Sequence, residues 1–318
     1  MFAHVIFFVA WFPRVINVYK KKQMNQPYDF YRNPLAILIP LIVMLAITAT
    51  MTGIFSNDGN GQYKYTSIRG KTVMIYGKGL YKDMSAEVAP QGIAQDYVTL
   101  LLAIPLLIIS FFKAYKGSLR GKYLVAGTLG YFLVTYLFYT VMGMYNFMFL
   151  PYVILMGASF YSFILVVLSM HSASLSDWFK TFAPVKITGG FLIFNSTAIG
   201  LMWLSIVVPP LLNGTIIPLQ VEHYTTLIVQ GLDLGILLPA GVISGILLTR
   251  RNSLGYLFAP IYFVFLSLLM TALSSKILAM KMLHYNVIPA IFIIPAFNVI
   301  TVICTVITLL SIKTNGKS

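Results

Sequence analysis

Apolar residues fall in eight long blocks, 34–55, 96–113, 122–144, 150–170, 188–211, 224–248, 255–275 and 288–312, separated by short polar segments and one long one. A bilayer core about 30 Å thick is crossed by roughly 20 helical residues, which each block approaches or exceeds. Backbone N–H and C=O groups find no partners in lipid, so each block is expected to close its hydrogen bonds within a helix. Prolines 40, 105, 209, 239, 260 and 295 lie within or at the edges of these blocks and predict kinks rather than breaks. A ninth apolar run, Met1 to Phe12, is too short to span and is interrupted by Pro13 and Arg14. Residues 2–19 are expected to form an interfacial or half-inserted helix, with a short tilted span as the alternative. Its positive charge follows the apolar run instead of preceding it, unlike a signal peptide.

Composition agrees with the blocks. Of 318 residues, 58% are hydrophobic and 9% charged, against about 25% charged in a soluble domain. The net charge of +14 is not a nucleic-acid signature, because the cations sit between the apolar blocks. With the segment before the first block taken as inside, fifteen Lys and Arg fall in short inner segments. Only Lys276 and Lys281 fall in short outer loops, and five lie in the long loop 56–95. This bias predicts a cytoplasmic segment before the first span, a cytoplasmic C-terminus and an extracytoplasmic loop 56–95. Cys304, the single cysteine, excludes an intramolecular disulfide or a cysteine-based zinc site.

Within the long loop, "TVMIYGKGLY" (72–81) places β-prone residues around Gly77-Lys78-Gly79 and predicts a small β-hairpin, with Tyr63, Tyr65, Tyr76 and Tyr81 suited to pack it on helix ends. The two halves of the chain are also alike. "QDYVTLLLAIPLLIISFFKAYKGSLRGKYLVAG" (95–127) parallels "VQGLDLGILLPAGVISGILLTRRNSLGYLFAP" (229–260): Pro105 matches Pro239, Ser110 matches Ser244, and the basic turn at Lys116 matches that at Arg251. "YNFMFLP" (145–151) parallels "YNVIP" (285–289). The expected fold is an all-α membrane protein of eight spans arranged as a 4+4 parallel repeat about an axis along the membrane normal. Its divisions are 1–33 (interfacial helix and basic segment), 34–170 (first half), 171–187 (connector), 188–312 (second half) and 313–318 (tail).

Only eight acidic residues occur. Asp29, Asp58, Asp83, Glu87 and Asp177 read as loop residues. Asp96 and Glu222 fall at outer block ends, where an acid is favoured by the helix dipole and also borders any outer cavity. Asp233 lies nine residues into its block, a depth of about 14 Å, at a cost on the order of 3 kcal/mol unless protonated, paired or hydrated. At helical spacing Glu222, Thr226, Gln230 and Asp233 share one face. With His223, Asn146 and Asn286 at the outer ends, Asp233, Gln230, Glu222 and Asp96 form the candidate set for binding a small molecule or cation. A packing network is the alternative. Asn195 and Asn298 read as interhelical hydrogen-bonding residues, and Gly231, Gly235, Gly241 and Gly245 as close-packing positions.

No HExxH, GxSxG or Walker loop occurs, so no catalytic residue or cofactor is assigned. His223, Glu222, Asp96 and His284 have ligand chemistry but no ligand spacing, and no metal is assigned. The segments "QDYVTLLLAIPLLI…GSLRGKYLVAGTLGYF" and "HYTTLIVQGLDLGILLPAG…LLTRRNSLGYLFAP" resemble a family of prokaryotic multi-span integral membrane proteins to which no activity is assigned. The resemblance covers about 95–155 and 222–260. It implies a bacterial or archaeal cell membrane and names no substrate. The leading expectation is a transporter or permease-like protein with an outward-facing polar cavity, with the bilayer as partner and a gradient or an ATPase subunit as energy source. The rivals are a membrane-embedded enzyme on a lipid-like substrate and a non-catalytic sensor or assembly subunit.

Overall fold

A computed structural model describes residues 29–170, 175–215 and 217–313. The expected helix 2–19 lies outside these residues, as do most of the 1–33 segment and the tail beyond residue 313. Among the described residues eight helices are long and apolar enough to cross a membrane, the framework of a polytopic membrane protein. They are α1 (Asp29–Phe55), α2 (Ala89–Tyr115), α3 (Leu119–Val141), α4 (Phe149–Met170), α5 (Val185–Leu212), α6 (Ile228–Thr249), α7 (Ser253–Met282) and α8 (Ala290–Leu310).

The helices correspond one to one with the eight apolar blocks, but three boundaries move. α2 starts seven residues before Asp96, which is therefore an interior residue and not a cap. α6 starts at Ile228, so Glu222 and Thr226 lie in the preceding loop and share no helical face with Asp233. α7 runs through Lys276 to Met282. The block was ended at residue 275 by the charge itself, although the helix continues past it.

α3 and α7 form the centre: 56% and 61% of the apolar 18-residue stretch of each is buried, against 17–33% for the others. They cross directly. A Cβ on Gly127 would lie 2.4 Å from Val264 Cβ and 2.7 Å from the Ile261 carbonyl oxygen, so only glycine permits the approach. The Tyr123 hydroxyl donates to the Tyr256 carbonyl at 2.8 Å in the same crossing. α2 and α4 flank α3, and α6 and α8 flank α7. α1 packs on α2 and α4, and α5 packs closely on α6. The α5–α6 contact is made by Gly189 against Gly245 and Thr249, and by Gly241 against Ser196. Of the four glycines read as packing positions, Gly241 and Gly245 do this; Gly231 and Gly235 have nothing within 4 Å of an added Cβ.

One series of backbone states occurs twice at a constant offset. In α2 a π turn covers Thr99–Ala103, closed by the Ile104 N–H to the Thr99 carbonyl, with Pro105 next. In α6 a π turn covers Asp233–Leu237, closed by the Leu238 N–H to the Asp233 carbonyl, with Pro239 next. The wide turn fits a proline that lacks an N–H and whose ring crowds the preceding turn. Both helices end in a left-handed residue, Gly117 and Arg251. The following helices are then capped by Ser118, accepting from Gly121 N at 3.2 Å, and by Asn252, accepting from Leu254 N at 2.9 Å.

Two ends of the bundle can be told apart. At the basic end, Phe179 bridges Ile312, the Lys180 N–H donates to the Ser311 carbonyl at 2.9 Å, and the Arg120 guanidinium donates to the Ile312 carbonyl. The loop end carries residues 56–88. There β1 (Tyr63–Thr66) pairs antiparallel with β2 (Thr72–Ile75), Tyr63 opposite Ile75. The reversal thus lies at residues 67–71 and not at Gly77-Lys78-Gly79, which follows the sheet. Gly77 and Gly79 have positive φ and sit against the Gly61 and Ser56 backbone. The hairpin is tied to the second half: Arg69 donates to the Tyr224 and Thr225 carbonyls at 2.8 and 2.9 Å.

Candidate functional site

Asp96, Asp233 and Lys276 lie at one depth. They are seven residues from the start of α2, five from the start of α6 and six from the end of α7. At 1.5 Å per residue each is about 8–10 Å below the loop end. Asp233 is therefore shallower than the block boundary implied. α7 packs against both α2 and α6, and the Lys276 ammonium interacts electrostatically with both carboxyl groups. Among the described residues Lys276 makes no ion pair within 4.0 Å and no hydrogen bond through its ammonium. One cation thus interacts with two acids at the junction of three helices.

The two acids are held differently. Asp96 is 1% exposed. Its Oδ2 accepts from the Tyr81 hydroxyl at 2.5 Å and its Oδ1 from the Tyr139 hydroxyl at 3.1 Å. Gly53 leaves room for it, since a Cβ there would overlap Oδ2. Tyr81 and Tyr139 meet edge to face, and Tyr152 and Tyr136 extend the aromatic wall. Burial, then the Asp96 carboxyl, push the Tyr81 hydroxyl well above its ordinary value, which keeps it a donor. Next to this group Gln95 donates to Thr135 at 2.8 Å, and the Thr99 and Tyr131 hydroxyls are 2.8 Å apart. Asp233 is half-buried and bonded through one oxygen: Oδ2 accepts from Trp203 Nε1 at 2.8 Å, and Oδ1 has no donor among the described residues.

Removing one of the hydroxyls tests the clamp. Tyr81→Phe is expected to destabilise the protein by about 1–3 kcal/mol, because a buried carboxyl loses a charge-assisted partner. Thermal unfolding in detergent measures this, and an unchanged midpoint would mean Tyr81 does not hold Asp96.

The other candidates do not join this layer. Asn146 and Asn286 each bond locally: Asn146 Oδ1 accepts from Met148 N at 2.9 Å and Asn286 Oδ1 from Ile288 N at 3.2 Å, shaping the turns before α4 and α8. His223 lies in the loop before α6, its Nε2 3.1 Å from the Asp83 carbonyl and its ring against Tyr65 and Tyr224. Tyr224 is buried beside it, accepts from Ser85 N at 3.3 Å, and has its hydroxyl pushed up to about 12, by burial first. Glu222 has positive φ and a buried oxygen without a partner. A hollow of about 220 Å³ opens here between the end of α3, the start of α4 and residues 223–228, lined by Met142, Tyr145, Phe149, His223, Tyr224 and Ile228. Asp96, Gln230 and Asp233 do not line it. Gln230 is half-buried, one turn above Asp233. Among the described residues no three His, Cys, Asp or Glu side chains converge as metal ligands.

Sequence reasoning missed Lys276, Tyr81, Tyr139 and Trp203. Lys276 was legible as a lone cation followed by further helix-forming residues. The partners of the acids had no sequence signal, since they come from the long loop and from separate spans. Compared with protein-family models, with curated proteins and with solved structures, the chain matches none.

Proposed function

We propose that this protein is a transporter or permease-like membrane protein whose coupling site is the Asp96–Lys276–Asp233 layer. The observation that carries this reading is a half-buried cation that interacts electrostatically with an acid on each of two neighbouring helices. Ionisable groups inside a membrane are costly and mark substrate, ion or proton pathways. Counted fully ionised, two carboxylates and one ammonium are one positive charge short of neutral, and a low-dielectric site favours filling that deficit. Asp233, with one free oxygen and partial exposure, is the group that takes a proton or a monovalent cation. Asp96, clamped by two tyrosines, is the fixed acid of the layer.

Two four-helix halves, 34–170 and 188–312, related by a pseudo-twofold axis between α3 and α7, fit the twin π turns, prolines and caps. The sidedness that follows from the basic residues puts the layer near the extracytoplasmic surface, with loop 56–95 outside and the C-terminus in the cytoplasm. The resemblance to prokaryotic multi-span proteins makes the membrane a bacterial or archaeal cell membrane, and Gln230, Glu222, His223, Asn146 and Asn286 border the approach. An enzyme would use paired carboxyls or a His–carboxyl couple, for which Glu87 and Glu222, interacting electrostatically beside His223, are the candidates. A sensor or assembly subunit would show no solute uptake in liposomes.

Asp233→Asn keeps the Trp203 bond and the volume while removing the charge. The variant is expected to fold with an unchanged melting point and to lose proton- or sodium-driven solute uptake in liposomes. Uptake equal to wild type would remove Asp233 from the mechanism.

A further inference from the structure

Asn195 was expected to bond between helices, as Asn298 does by accepting from the Thr271 hydroxyl at 3.3 Å. It does not: Asn195 is 1% exposed, and neither its side-chain nitrogen nor its oxygen has a partner among the described residues. The adjacent Ser196 is also 1% exposed, and its hydroxyl lies beside that of Tyr262. An amide with two donors and an acceptor left empty in a membrane interior is the largest unmet hydrogen-bonding demand in the second half, each group worth about 1–3 kcal/mol.

These groups lie at one depth with others of the same kind. Ser196 Oγ and the Tyr262 hydroxyl converge on Gly241, where an added Cβ would come within 2.3 Å of the first and 2.8 Å of the second. Counted along α5, α6 and α7, Asn195, Gly241 and Tyr262 are about 12–15 Å from the basic end. Tyr262 donates to the Leu237 carbonyl at 2.9 Å, inside the π turn that begins at Asp233, and it interacts electrostatically with Asp233. Toward the basic end, Thr188 continues the buried face of Asn195 at a spacing of seven, with its hydroxyl bonded to the Pro184 carbonyl at 3.1 Å.

We propose that ordered water occupies the space at Asn195 and Ser196 and links Tyr262 to it, forming a polar path from Asp233 toward the basic end. Buried polar groups without protein partners are the usual hosts of internal water, which makes two to four hydrogen bonds per molecule. The glycine at 241 lets the two hydroxyls meet, since an added methyl group would overlap both. A proton taken up at Asp233 enters this line when the Tyr262 hydroxyl turns from the Leu237 carbonyl: the Tyr262 oxygen accepts it, the Tyr262 proton passes to the water, and the water passes one proton to solvent at the basic end. Use of the path by protons rests on the reading of Asp233 given above; occupation by water does not.

Radiolytic hydroxyl labelling of the whole protein in detergent, read by mass spectrometry, tests the water site, since a buried side chain is labelled only beside bound water. Tyr262 is expected to be labelled well above Tyr123, which is fully buried with its hydroxyl bonded to protein. Asn195→Leu and Gly241→Ala, two independent variants, should bring Tyr262 down to the Tyr123 level. Labelling of Tyr262 at the Tyr123 level in the unaltered protein overturns the proposal. Proton movement is read separately with pyranine-loaded liposomes and an imposed pH gradient: Asn195→Leu is expected to lose the flux that depends on Asp233. Flux that depends on Asp233 but survives Asn195→Leu overturns the proton route. Labelling of Tyr262 with no Asp233-dependent flux in the unaltered protein instead overturns the reading of Asp233 and leaves the water site standing.

Discussion

Lys276→Met is expected to cause the largest functional loss of any single substitution in this protein. The methionine has nearly the volume of lysine, so packing of α7 against α2 and α6 is kept. What disappears is the only cation placed between Asp96 and Asp233 among the described residues. Two carboxyl groups are then left without a counter-charge. Because Lys276 is not in contact with either carboxyl and both it and Asp233 are half-buried, the loss is expected below the roughly 3–5 kcal/mol of a broken buried ion pair. A second substitution separates charge from packing. Lys276→Met combined with Asp233→Asn removes one charge of each sign, and it is expected to recover most of the melting temperature while solute uptake stays lost. Double-mutant coupling measured by thermal unfolding in detergent decides the matter. If the double variant is no more stable than Lys276→Met alone, Lys276 and Asp233 do not interact and the layer is not a unit.

At Gly127 the expected loss is one of packing. Gly127→Ala should destabilise by about 1–3 kcal/mol and Gly127→Val by more, because the α3–α7 crossing has no space for a Cβ. Val264→Ala should not rescue Gly127→Ala. It retains the Val264 Cβ, and the Ile261 carbonyl that also blocks the site belongs to the helix backbone. Gly157→Ala and Gly190→Ala serve as controls, since nothing lies within 4 Å of either added carbon; both are expected to be neutral or to gain up to about 1 kcal/mol from helix propensity. Equal melting points for Gly127→Ala and Gly157→Ala would mean the two central helices do not cross at this glycine.

These expectations draw unequally on sequence and structure. The eight helices were legible in the sequence because the bilayer imposes one rule at every crossing, about 20 apolar residues that satisfy their own backbone. Pro105 and Pro239, the basic turns and the Tyr-Asn pairs were visible as matched positions for the same reason, being local. Helix ends were less legible. A window that stops at a charge stops too early wherever that charge is sheltered by other helices, as at Asp96 and Lys276. A run of Thr and apolar residues before Ile228 looks like helix although the chain there is a loop.

The carboxylates at 96 and 233 could be singled out from sequence by their cost in lipid alone. Their partners could not. That Tyr81 from the long loop and Tyr139 from α3 close on Asp96, that Trp203 from α5 takes one oxygen of Asp233, and that Lys276 stands between the acids all depend on which helices are neighbours. The same holds for Asn195, which in sequence reads as an ordinary hydrogen-bonding residue and in three dimensions has nothing to bond. Hydrophobicity decides how many times a chain crosses the membrane, because it acts through the solvent at each residue. Pairing of polar groups between crossings is decided by close contact at a few glycines and π turns, and only the folded bundle brings those together.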